Sequence, residues 1–131
     1  MTAFAPISDD MKNRVLWITV LLLIIYLSIA QGKITSFLFW NASPIIVCGL
    51  LLSLSKLDPS KPSFWGGVGF ALTGGILTLL LHTAWLFDWG EFATGSSTSA
   101  LIFIFIPIYA FIIGGISWIL GWYIGKYYIN E

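Results

Sequence analysis

The 131-residue chain carries six basic and six acidic side chains, a formal net charge of +0, and hydrophobic residues at 58% of its positions against 9% charged. Soluble globular domains average about 45–50% apolar and about 25% charged residues, so composition excludes an ordinary water-soluble fold. It also excludes nucleic acid as a partner, because phosphate binding needs a concentrated basic surface and these few cations are scattered.

The chain opens on a polar stretch, MTAFAPISDDMK, in which Ser8 or Asp9 is placed to cap a helix. Four apolar runs follow, at about 14–31, 36–55, 64–87 and 98–126, each near the ~20 residues needed to cross about 30 Å of hydrocarbon. The connectors QGKIT, KLDPSKPS and DWGEFATGSS are short and rich in Gly, Pro, Ser and charge, as joints between antiparallel helices should be. The expectation is an all-α polytopic membrane protein, one transmembrane domain over residues 1–131, with four helices in an antiparallel bundle. The first run also admits a rival reading as a cleaved signal peptide, because Lys12 and Arg14 precede it and Ser28-Ile29-Ala30 follows. Its apolar stretch outlasts the roughly 7 to 15 residues of a signal core, which favours an uncut anchor.

Lys12, Arg14, Lys56, Lys61 and Lys126 fall on one side of a four-span topology and Lys33 alone on the other. Positive loops stay cytoplasmic, so both termini are expected in the cytoplasm and Asp88 and Glu91 on the far side. The aromatic belts agree, with Trp17, Trp65, Trp122, Tyr123 and Tyr127 at one interface and Trp40, Trp85 and Trp89 at the other.

Helices in lipid associate through small residues that let backbones approach. Projected at about 100° per residue, Gly67, Ala71, Gly74, Gly75, Thr78, His82 and Trp85 share one arc of the third span. In the fourth span Ala110, Gly114, Ser117, Gly121 and Gly125 share another, ending in a Gly-x-x-x-Gly pair. The two grooves are expected either to face each other or to receive a second copy or a partner. Pro107 cannot donate to the carbonyl of Phe103 and should bend the fourth span. The lone cysteine, Cys48, sits in PIIVCGLLL and reads as a small buried hydrophobe.

The stretch HTAWLFDWGE, His82 to Glu91, gathers the ionisable groups nearest the membrane. An intramembrane histidine is a candidate proton or ion relay by default, and Thr78 and Asn41 are the polar groups nearest in depth. The competing reading is a hydrogen-bonded packing residue, with Asp88 and Glu91 as solvated charges. On a continued helix Asp88 would point about 120° away from His82, and no conventional metal-ligand spacing occurs. The hydroxyl run Ser96 to Ser99 reads as a helix cap or a polar mouth.

No catalytic residue, cofactor or metal is expected. The first span has no carboxylate, the single Cys cannot pair internally, and no second histidine exists for a dyad. What remains is a bundle with packing faces. The expected role is binding, as an accessory, assembly or immunity-type partner of another membrane protein, or in self-association, in a bilayer read as a bacterial inner membrane. The alternative is a small homo-oligomeric channel or transporter whose pathway passes Thr78 and His82.

Overall fold

A computed structural model describes residues 8–32, 36–95 and 101–129, apart from the Phe37 side chain. Within them the fold is all-helical: α1 Asp9–Gln31, α2 Ser36–Leu54, α3 Pro62–Leu86 and α4 Ile102–Ile129. Helices α1, α3 and α4, of 23, 25 and 28 residues, are each long and apolar enough to cross a membrane. Helix α2 is shorter, its 19 residues rising about 29 Å. Large apolar side chains point outward all around the bundle, among them Leu22, Leu54 and Ile116. Such a surface is stable against lipid, not against water.

Helix ends are set by capping as much as by hydrophobicity. α1 begins at Asp9, well before the apolar run, because the Ser8 hydroxyl accepts from the Met11 amide at 3.2 Å and Asp9 and Asp10 oppose the helix dipole. It ends at Gly32, whose left-handed backbone (φ 77°) lets its amide bond the carbonyls of Ser28 and Ile29. Pro62 starts α3 at a position where no amide is needed. Pro44 lies inside α2 and leaves the Trp40 carbonyl without its helical donor; the Ser43 hydroxyl donates to that carbonyl at 2.6 Å, so the helix passes through the proline. α4 likewise continues through the buried Pro107.

The helices run alternately up and down. The basic end of the bundle carries Lys12, Lys56, Lys61 and Lys126, and the acidic end carries Asp88 and Glu91. The most extensive interface joins α3 to α4. A Cβ on Gly74 would lie 2.6 Å from the Ala110 carbonyl oxygen, and one on Gly114 2.7 Å from the Phe70 ring. Further along, Cβ atoms on Gly69 and Gly121 would collide with the carbonyls of Ser117 and Trp65, and one on Gly125 with the Trp65 side chain. These backbones touch because the side chains are missing.

The single groove projected for α3 is divided in the structure. Gly74 meets α4, but Gly67 and Gly75 face Leu52 and Cys48 of α2, and Ala71 lines a crevice toward α1. The reason is local: Ala71–Gly75 is a π-helical stretch, wound wider than the ideal helix, so residues beyond it are rotated relative to those before it. Gly66 and Gly69, absent from the projected arc, therefore also pack on α4, against Trp118 and Ser117.

Candidate functional site

The bundle interior near its acidic end holds a polar cluster. His82, Thr78 and Asn41 are each 0% exposed. The His82 ring is held at both nitrogens. Its Nδ1 lies 2.7 Å from the Thr78 carbonyl oxygen, which can only accept, so Nδ1 carries the proton. Its Nε2 lies 3.2 Å from the side-chain nitrogen of Gln31 and accepts from that amide. One neutral tautomer satisfies both bonds. The ring also packs beside Phe103, centroids 5.1 Å apart, and Trp85 closes over the same phenylalanine at 4.7 Å.

A second link runs parallel to the first. The Thr83 hydroxyl donates to the Leu79 carbonyl at 2.8 Å, leaving its oxygen to accept from the Tyr26 hydroxyl at 2.5 Å. The Thr78 hydroxyl bonds back to the Gly74 carbonyl at 2.9 Å. Together, Gln31 to His82 and Tyr26 to Thr83 clasp the last turns of α1 to the last turns of α3. Asn41 contributes from α2, fully buried. Trp40, the residue before it, donates its indole N–H to the Ile104 carbonyl of α4 at 3.1 Å.

Asp88 and Glu91 do not join this cluster. α3 stops at Leu86, and Asp88 takes a left-handed backbone (φ 51°) that turns the chain. Its carboxylate accepts from the amides of Ala93 (2.7 Å) and Thr94 (3.0 Å) and from the Thr94 hydroxyl (2.6 Å). The Thr94 hydroxyl above all, then the two amides, hold this carboxyl below its ordinary pKa. Asp88 is thus a loop clasp, and Glu91 is exposed. No group of three or more His, Cys, Asp or Glu side chains placed to hold a metal occurs among the described residues. The hydroxyl run Ser96 to Ser99, and Lys33, lie outside the described residues.

Gln31, Tyr26, Thr83 and Phe103 were not legible as members of the site. Gln31 reads as connector, yet α1 extends through it before the Gly32 cap. Tyr26 and Thr83 sit at matched depth in the first and third apolar runs, a signal that only a pairing of α1 with α3 brings out. Chemically, the cluster holds a neutral imidazole whose two nitrogens are both engaged within the chain. Comparison of the chain with protein-family models, with curated proteins and with solved structures gives no match.

Proposed function

We propose that this chain works by binding within a membrane, as an accessory, assembly or immunity-type partner of another membrane component, without catalysing a reaction. The observation that carries the reading is the distribution of interior polar groups. His82, Thr78 and Asn41 lie buried toward the acidic end, with both His82 nitrogens engaged by Thr78 and Gln31; at the basic end the buried Ser55 is turned back onto the Leu52 carbonyl, and the α3–α4 interface toward that end is closed by glycine-to-backbone contact. A conducting pathway needs polar lining at every depth. A bundle whose α3–α4 interface is closed by backbone contact offers its outer faces instead.

The basic end, by the charge rule, faces the cytoplasm, and a bacterial inner membrane is the setting proposed for it. The test is native mass spectrometry of the tagged chain, extracted from its own membranes in mild detergent. A foreign membrane polypeptide at fixed stoichiometry is the expected result. A clean homo-oligomer that carries protons or small ions into liposomes, at rates abolished by His82→Ala, would overturn the proposal and make the chain a channel or transporter.

A further inference from the structure

The two links of the polar clasp hold α1 against α3 only at the acidic end. Residues 76–86 of α3 pack on α1, whereas residues 62–70 pack on α2 and α4. The two helices therefore diverge toward the basic end, and the gap between them is not filled by the chain. It forms a crevice of about 190 Å³ with Thr19 and Leu23 of α1 on one wall, Ala71 and Ile76 of α3 on the other, and Cys48 and Gly49 of α2 as its floor. Its lips, Thr19 and Ile76, are exposed, so it opens sideways into the surrounding medium. The Thr19 hydroxyl is already spent on the Val15 carbonyl at 2.8 Å, which leaves the wall apolar.

Leu16 and Thr19 also line a second groove, of about 370 Å³, that continues along α1 past Val15 to Lys12 and Leu57 at the basic end. The combined path from Leu23 to Lys12 covers twelve residues of α1, about 16 Å of helix rise. That is close to half of the about 30 Å hydrocarbon core, the depth of a single leaflet. Lys12 is the charged residue lining this groove, and Lys61 stands close enough to share the field of Asp58 with it. Asp58 itself is occupied by the amide and hydroxyl of Ser60, at 2.9 and 2.7 Å. The site has the shape of an amphiphile: a dry slot one leaflet deep, with an amine at its mouth.

We infer that this crevice is a binding site for one diacyl phospholipid, an acyl chain lying between α1 and α3 on the Cys48–Gly49 floor and the phosphate paired with Lys12. The inference rests on the membrane setting and not on any protein partner. A chain in the slot replaces the packing that α1 lacks against the first half of α3, since an unfilled gap forfeits dispersion contacts on both walls. The amine recognises the phosphodiester, the part of the headgroup that all such lipids share.

The test uses the purified full-length chain in detergent, incubated with dioleoyl phosphatidylglycerol or with dioleoylglycerol, which has the same tails and no phosphate. Native mass spectrometry reads the adducts. The wild type should retain one phospholipid, about fivefold more strongly than the diacylglycerol, as expected for one amine at a membrane surface. Lys12→Gln should erase that preference, Lys126→Gln should leave it intact, and Thr19→Trp, which plugs the mouth from an exposed position, should abolish retention of both lipids. Should Thr19→Trp fail to fold, Ile76→Trp plugs the same mouth from the other lip. Equal retention of the two lipids by the wild type, loss of preference in Lys126→Gln, or undiminished phospholipid binding in the folded plug variant would each overturn the inference.

Discussion

The two ends of the bundle are joined by different physics. At the acidic end, α1 and α3 meet through long polar side chains, Gln31 to His82 and Tyr26 to Thr83. Toward the basic end, α3 and α4 meet through absent side chains, with glycines lying on the carbonyls of Trp65 and Ser117. Lipid gives helices no hydrophobic reason to associate, so a membrane bundle must use one device or the other. Hydrogen bonds fix which residues pair but contribute modestly each, because unfolded helices in a bilayer also find partners. Glycine contacts add many weak dispersion terms and tolerate no added atom.

The sharpest way to break the comparison is therefore on the glycine side. Gly121→Leu drives a branched side chain into the Trp65 carbonyl, a backbone atom that cannot rotate away. The expected loss exceeds about 3 kcal/mol, seen as collapse of folded yield and of thermal unfolding temperature in detergent. Gly115 is the internal control: nothing lies within 4 Å of a Cβ built there. Gly115→Ala should keep the fold and raise stability by up to about 1 kcal/mol through helix propensity. Equal behaviour of the two variants would mean that α3 and α4 are not held by close approach.

On the polar side the expected losses are smaller and unequal. His82→Leu keeps bulk but leaves the Gln31 amide facing an apolar wall, at a cost of about 1–3 kcal/mol. Tyr26→Phe removes one hydroxyl whose partner, Thr83, retains its bond to the Leu79 carbonyl, and should cost only about 0.6 kcal/mol. Chemical denaturation of both variants and their double mutant tests whether the links act together. Strict additivity would show two independent bonds and no clasp.

Much of this contrast can be read from the sequence, and the remainder has identifiable physical reasons for being hidden. Run length and connector chemistry place four helices, because a bilayer demands long apolar segments and turns need Gly, Pro and Asp. The glycines of the fourth span are legible as a face because α4 is regular from Ile102 to Ile124, and only Gly125 falls on the π-helical stretch that follows. Those of the third span are not, because the π-helical stretch at Ala71–Gly75 changes the angle per residue, so that Gly67 and Gly75 face α2 while Gly74 faces α4. His82 is recognisable as buried by its neighbours on the helix, but its partner Gln31 lies fifty-one positions away. Polar pairing between distant helices depends on tertiary order, which periodicity does not carry. Asp88 shows the opposite failure: continuing α3 past Leu86 gives it a direction it never takes, because the helix ends first.

That ending supplies the mildest prediction, one confined to the loop beyond the acidic end. Asp88 is held below its ordinary pKa by the Thr94 hydroxyl and by the amides of Ala93 and Thr94. A carboxylate depressed by folding stabilises its surroundings above the unfolded value, about 3.9, and that contribution fades as pH falls through the lower folded value. Amide exchange of residues 88–95, followed from neutral pH to below about pH 4 and corrected for intrinsic rates, should therefore show protection at neutral pH that fades in acid. The exchange of α3 and α4 should stay flat. Asp88→Asn removes the charge while keeping one carbonyl acceptor, so its loop should exchange faster at neutral pH and lose the acid response. An acid response that survives Asp88→Asn would show that the Asp88 carboxylate does not hold this loop.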